Sequence, residues 1–177
     1  MTVYGTAGDD GDDVTMDHHD NSLTVKAGDG DDTLNVETRY GELGSGGGFT
    51  NTVNADMGKG DNKVSLSNTA GVMEADIKAG DGDDTVTVTQ AGTYASADIN
   101  AGEGGNDITF ALNEGAAKAD IKAGDGNDRV TLTGTGKAKR SVKDGNRTYE
   151  GSLTVNLGAG DDTVSADAAL GNGYSAA

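Results

Sequence analysis

Short clusters of aspartate and glycine recur along the chain, and each is followed at once by a run in which polar and apolar residues alternate. The clearest is AGDGDDTVTV at residues 79–88, which places three aspartates and two glycines directly before Thr85. Carboxylates packed this closely repel one another unless a positive charge lies among them. Carboxylate and backbone carbonyl oxygens are the ligands that Ca²⁺ prefers in proteins. The clusters therefore predict calcium binding at glycine-containing turns.

The cluster is one copy of a repeat that fills the chain. Copies begin at residues 7, 27, 57, 79, 101, 123 and 157, so the successive spacings are 20, 30, 22, 22, 22 and 34. We interpret this as a repeat unit of about 22 residues, the spacing that holds from residue 57 to residue 123. Two units carry insertions, near 40–49 and 136–150. The whole chain, residues 1–177, then forms a single repeat domain.

Each unit contains two runs with a period of two, and this period is typical of strands that have one buried face. Before the glycines, Ile77 alternates with Asp76 and Lys78; after them, Val86 alternates with Thr85 and Thr87. Like residues recur at like places, so each strand is expected to lie parallel to its counterpart in the next unit. The sequence predicts an all-β fold, a flattened parallel β-solenoid of about seven coils with two strands per coil.

Stacking such coils would align one residue of every turn in a column. The column is Asp32, Asn62, Asp84, Asn106, Asp128 and Asp162. Like charges at the strand spacing of about 5 Å repel by roughly 1 kcal/mol in water and about 3 kcal/mol at an effective dielectric near 20. A divalent cation between successive turns would remove this repulsion, and glycine would let the backbone direct its carbonyls to the ion.

At these turns the sequence resembles the RTX (hemolysin-type) nonapeptide repeat, G-G-x-G-x-D-x-U-x, where U is a large apolar residue. Residues 79–87 match it at Gly80, Gly82, Asp84 and Val86, and the copies at 27–35, 123–131 and 157–165 match at the same places. The resemblance implies a calcium-binding β-roll. Alanine usually replaces the first glycine, and only one such turn occurs in each repeat unit. We therefore expect several calcium ions in one row along one edge.

The predicted metal site comprises the acidic, amide and glycine residues of these turns. They are Asp12, Gly28, Asp29, Gly30, Asp31, Asp32, Asp61, Asn62, Gly80, Asp81, Gly82, Asp83, Asp84, Glu103, Asn106, Asp107, Gly124, Asp125, Gly126, Asn127, Asp128, Gly158, Gly160, Asp161 and Asp162. Asp107 is included as a substitute for Asn106, and Lys59 and Lys63, which flank the turn at Asn62, are expected to leave the ion site there weak or empty. The alternative is that these are solvated β-turns, since Asp and Gly favour turns in any case.

The second insertion is basic. It contains Lys137, Lys139, Arg140, Lys143 and Arg147, and residues 142–147 are predicted to form a hairpin around Asp-Gly. One interpretation is a surface excursion without a partner. The other is a basic arm that docks on the acidic edge of another copy.

The formal net charge of −17 argues against nucleic acid as a partner, and no apolar run is long enough for a membrane-spanning helix. The sequence contains no catalytic motif, so we expect no enzyme activity. DHHD at residues 17–20 is interpreted as a turn rather than a metal site, because adjacent strand residues face opposite ways.

Calcium sites of this type are loaded where calcium is millimolar, outside the cell. The N-terminus has no pattern of a cleaved signal, and this is consistent with the type I export that the RTX resemblance implies. We expect a secreted structural protein that self-associates into a fibre, biofilm matrix or surface layer, with a head-to-tail filament as one arrangement. The alternative is an adhesin or an ice- or polysaccharide-binding module, which the outward threonines would favour.

Overall fold

The chain is described as a computed structural model for residues 2–4, 11–17, 20–39, 50–134, 141–144, 147–167 and 174–176, with side chains described for 20–39, 50–134 and 151–167. Its described residues form strands and turns, and the strands are β1 (Thr2–Tyr4), β2 (Gly11–Asp17), β3 (Asn21–Lys26), β4 (Thr33–Arg39), β5 (Thr50–Asp56), β6 (Lys63–Asn68), β7 (Val72–Lys78), β8 (Thr85–Gln90), β9 (Tyr94–Asn100), β10 (Asp107–Leu112), β11 (Ala116–Lys122), β12 (Arg129–Thr133), β13 (Ser141–Asp144), β14 (Arg147–Glu150), β15 (Ser152–Asn156), β16 (Thr163–Ala166) and β17 (Tyr174–Ala176).

Two parallel sheets contain all of these strands except β13 and β14. The first sheet has the order β1-β3-β5-β7-β9-β11-β15-β17, and the second has the order β16-β12-β10-β8-β6-β4-β2. The chain therefore alternates between the sheets and adds one strand to each per coil. This confirms the predicted all-β parallel solenoid with two strands per coil.

The sheets enclose a thin apolar core that follows the predicted alternation. Ile77, Ile99 and Ile121 of the first sheet are fully buried, as are Val86 and Val88 of the second. Ile77 pairs with Ile99, and Ile99 with Ile121, so each residue type forms a column along the stack. A single coil has only a few apolar side chains to bury, and it is stabilised by the coils on either side.

The first coil has a different register from the one that the sequence repeat suggests. Asp12 is predicted to be the counterpart of Asp32, but it lies within β2 and pairs with Leu34. This pairing has an offset of 22 residues, and so does the pairing of Val3 with Val25 in the other sheet. The first coil therefore has the standard length in both sheets. The shorter spacing predicted between the first two copies, and with it the placement of Asp12 in a turn, is therefore wrong.

The second insertion contains the predicted hairpin. β13 and β14 pair antiparallel, with Ser141 opposite Glu150 and Asp144 opposite Arg147, in a sheet of their own. After the last predicted repeat, β17 pairs parallel with β15, so Tyr174–Ala176 continues the first sheet. The first insertion, 40–49, lies outside the described residues.

Candidate cation site at the Asp-Gly turns

The Asp-Gly turns lie along one edge of the solenoid, between each strand of the first sheet and the next strand of the second. Successive turns are in close contact through their glycines. Gly82 has φ of 144°, and a Cβ atom placed on it would lie 2.1 Å from the carbonyl oxygen of Gly60 in the preceding coil. Gly104 stands in the same relation to Gly82, again at 2.1 Å. Glycine is therefore required here for the turns to stack at the spacing of the strands.

The predicted column faces the interior and not the solvent; we call Asp32, Asn62, Asp84, Asn106, Asp128 and Asp162 the inner column. The first five are 1–2% exposed. From Asn62 onward, each side chain accepts a hydrogen bond from the backbone N–H of its counterpart one coil earlier: Asn62 N–H donates to Asp84 Oδ1 at 2.8 Å, and Asp84 N–H to Asn106 Oδ1 at 3.1 Å. The inner column thus links successive coils.

The amide groups of the inner column donate to backbone carbonyls and, at Asn106, also to the carboxylate of the next coil. Asn62 Nδ2 donates to the carbonyls of Gly60 at 3.0 Å and Ala79 at 3.1 Å. Asn106 Nδ2 lies 3.1 Å from the carbonyl oxygen of Gly104 and 3.0 Å from Asp128 Oδ1. The carbonyls of Gly60 and Gly104 in the asparagine coils therefore already have a side-chain donor, as does the carbonyl of Ala79 in the aspartate coil that follows Asn62.

In the aspartate coils, the second atom of the inner side chain is an oxygen, which cannot donate to a turn carbonyl. Asp84 Oδ2 and Asp128 Oδ2 are buried and accept no hydrogen bond from the described residues. Burial raises the pKa of Asp84 from its ordinary 3.8 to about 6, against the lowering effect of the hydrogen bonds from Asn62. A buried carboxylate oxygen without a donor needs a proton or a cation. A hard cation suits this all-oxygen setting.

A second set of acidic side chains, Asp31, Asp61 and Asp83, is exposed and forms what we call the outer ladder. Asp61 N–H donates to Asp31 Oδ1 at 2.8 Å, and Asp83 N–H donates to Asp61 Oδ1 at 2.9 Å. The ladder continues from Gly105 N–H to Asp83 Oδ1 at 2.7 Å. In the outer ladder the later coil donates its N–H and the earlier coil accepts, which is the reverse of the inner column. Asp residues of the outer ladder therefore satisfy backbone donors between coils, a role that the sequence did not indicate.

The other predicted site residues are dispersed around the turn. Lys59 aligns with Asp29 and Asp81 and forms an exposed ion pair with Asp81 at 3.5 Å. Glu103 and Asp125 are exposed too. Asp107 is exposed at the start of β10, on the opposite side of the chain from Asn106. Asp161 donates its N–H to Asn127 Oδ1 at 3.0 Å.

The described residues contain no group of three or more carboxylates and imidazoles positioned to hold one metal ion. His18, His19, Lys137, Lys139 and Arg140 lie outside the described residues. Lys143 and Arg147 lie on the hairpin strands β13 and β14.

A second buried polar ladder lies at the opposite turn of the coil. Thr38 Oγ1 donates to Asn68 Oδ1 at 2.6 Å, and Asn68 Nδ2 donates to Gln90 Oε1 at 2.7 Å. All three residues are fully buried. None of the three was among the predicted site residues. The signal was present, because Asn68 and Gln90 continue the inward alternation of β6 and β8.

No protein-family model, curated protein or solved structure matches this chain. Among the described residues, no helix has the length and apolar character needed to cross a membrane.

Proposed function

We propose that this chain is a calcium-dependent structural protein of the RTX type, secreted and folded outside the cell. The observation that carries the proposal is the pair of buried carboxylate oxygens, Asp84 Oδ2 and Asp128 Oδ2, that accept no hydrogen bond from the described residues. The RTX-like spacing of Gly80, Gly82 and Asp84 supports calcium as the ion. The absence of any catalytic motif in the sequence favours a structural role over an enzyme.

Calcium would be held by the inner carboxylates and by the carbonyls of the glycine turns. Bound there, the ion supplies positive charge beside buried negative charge and additional oxygen coordination between backbone segments. The chain's own residues set the spacing of the turns and the position of the carboxylates. Gly82 and Gly104 allow close stacking, and an N–H from the preceding coil holds the carboxylates of Asp84 and Asp128 at a fixed place.

A low apolar content and a net charge of −17 suit a chain that folds only when calcium is supplied. Calcium is scarce in the cytoplasm and millimolar outside, so binding would couple folding to export. For this reason we place the folded protein outside the cell.

Calcium titration of the purified chain tests the proposal. We expect calcium to raise the melting temperature and the β-sheet circular dichroism signal, and EGTA to reverse both changes. Magnesium at the same concentration should have a much smaller effect, because it requires tight octahedral geometry and retains its water. A metal-free chain as ordered and as heat-resistant as the calcium-loaded chain would contradict the proposal.

We further propose that folded copies associate through the ends of the solenoid. Among the described strands, β1 and β17 are the outer strands of the first sheet and β2 and β16 those of the second, and outer strands offer backbone groups for pairing with another copy. Sedimentation velocity and negative-stain microscopy with and without calcium test this. Particles that stay monomeric over a wide concentration range with calcium would rule it out.

A binding module is the second candidate, because the second sheet presents hydroxyl groups in register on its outer face. Ser65 pairs with Thr87, Thr87 with Thr109, and Thr109 with Thr131. This flat row would suit a regular surface such as ice or a crystalline polysaccharide. Pull-down on insoluble polysaccharides and an ice-recrystallisation assay, each with a Thr87→Lys/Thr109→Lys variant as control, distinguish this function from assembly.

A further inference from the structure

Aspartate and asparagine alternate through most of the inner column, as Asp32, Asn62, Asp84, Asn106 and Asp128. The two residue types have the same shape, and they make the same first contact. Asp84 Oδ1 and Asn106 Oδ1 each accept an N–H from the preceding coil, at 2.8 and 3.1 Å. The coils are stacked in register. The second atom of each side chain therefore occupies the same place in every coil.

That place is occupied by a donor in one type of coil and by an acceptor in the other. In the asparagine coils it is Nδ2, which donates to the carbonyl of the glycine two residues earlier, Gly60 at 3.0 Å or Gly104 at 3.1 Å. In the aspartate coils it is an oxygen, Asp84 Oδ2 or Asp128 Oδ2, with no hydrogen-bond donor among the described residues. Only the aspartate coils therefore combine a buried negative charge with an inner side chain that cannot donate to the glycine carbonyl two residues earlier.

We propose that Asn62 and Asn106 replace, with their own amide groups, the cation that the aspartate coils require, so that cations bind only where the inner residue is aspartate. This rests on the proposed calcium binding. Alternation also moves neighbouring inner carboxylates two coils apart, from about 5 Å to about 10 Å, which halves their direct repulsion. The chain thus holds fewer ions than it has turns. Exchanging one inner asparagine for aspartate adds one ion.

Three single variants test this by ion counting with native mass spectrometry and by melting temperature in metal-free buffer at pH 7.5. Asp84→Asn should bind one calcium ion fewer than the parent and should melt about 5 °C higher without metal. Asn106→Asp should bind one ion more and melt lower without metal, with calcium restoring its stability. Asp76→Asn is the matched control, because Asp76 is exposed on β7 and the variant makes the same change in charge.

The inference is overturned if Asp84→Asn is no more stable than Asp76→Asn without metal, or if Asn106→Asp and the parent bind equal numbers of ions. Failure of the proposed function has a different signature, since the parent itself would then bind no calcium. In that case the metal-free melting temperatures still decide whether an amide in place of a carboxylate stabilises the inner column. If Asn106→Asp does not fold without metal, its ion count is taken from protein refolded in calcium.

Discussion

A single atom distinguishes the two kinds of coil in the inner column. Asn62 Nδ2 has carbonyl acceptors at 3.0 and 3.1 Å, whereas Asp84 Oδ2 has no donor among the described residues. Leaving a buried polar atom without its partner costs about 1–3 kcal/mol, and more when it is charged. The stability of the metal-free chain should therefore depend strongly on the protonation of Asp84.

The pH dependence of the metal-free chain tests this at Asp84. Burial raises its pKa in the folded state to about 6, so folding favours the protonated acid. Protonated Asp84 stabilises the folded state relative to the unfolded state. This contribution is fully present below pH 3.8 and is lost as the pH rises through 6. Since one pKa unit corresponds to about 1.4 kcal/mol, the loss is about 3 kcal/mol.

The measurement is the difference in melting temperature between Asp84→Asn and the parent from pH 4 to pH 8. We expect this difference to widen between pH 4 and 6 and to level off above about pH 7. The same difference for Asp76→Asn should stay nearly constant, because that carboxylate is exposed. A pH-independent difference at Asp84 would show that its carboxylate is not strained by burial.

At the scale of the turn, stacking depends on glycine at one position and tolerates a side chain at the next. Gly104 has φ of 118°, and a Cβ there would lie 2.1 Å from the Gly82 carbonyl oxygen. Gly105 has its nearest neighbour at 3.4 Å, and the preceding coil has Asp83 at the equivalent place. We expect Gly104→Ala to destabilise the chain by at least about 2 kcal/mol.

Gly105→Ala is the matched control, expected within about 0.5 kcal/mol of the parent. Both variants are compared by denaturant unfolding in saturating calcium. Equal effects of the two substitutions would mean that the turns can separate to admit a side chain, contrary to the close stacking described above.

The opposite edge of the solenoid depends on its buried amide ladder. Asn68 bonds to Thr38 at 2.6 Å, to Gln90 at 2.7 Å and to the Tyr94 carbonyl at 3.1 Å. Asn68→Ala should cost about 2–3 kcal/mol, because it takes the donor from Gln90 Oε1 and the acceptor from Thr38 Oγ1 and opens a cavity. Ser67→Ala, on the outward side of the same strand, should have little effect on the urea midpoint. A similar loss in both variants would argue against the ladder.

The alternation of apolar residues was sufficient to predict the strands, the two faces and the parallel stacking. It placed Ile77, Ile99 and Val86 in the core correctly. It could not predict the direction of the aspartate hydrogen bonds, since both the inner column and the outer ladder consist of the same residue types in adjacent positions. It also misplaced Asp12, because the degenerate first copy can be aligned with the second at an offset of either 20 or 22 residues, and both offsets preserve the alternation.

At the scale of the molecule, each coil contacts only its neighbours, so a change that leaves both large sheets intact should leave the fold intact. The hairpin β13–β14 belongs to neither sheet. It lies in the connection between β12 and β15. Strand β15 pairs with β11 with Val155 opposite Ile121, as β11 pairs with β9 with Ile121 opposite Ile99. Removing residues 138–149 would restore the standard coil length.

We expect this deletion to melt within a few degrees of the parent in calcium, because the core residues Ile121 and Val155 keep their pairing across β11 and β15. If the basic hairpin docks on the acidic edge of another copy, the deletion should also reduce calcium-dependent association, since it removes Lys139, Arg140, Lys143 and Arg147. Raising the ionic strength should weaken association of the parent in the same way. Association that survives both the deletion and high salt would assign the contact to the solenoid ends, where strand pairing rather than charge holds copies together.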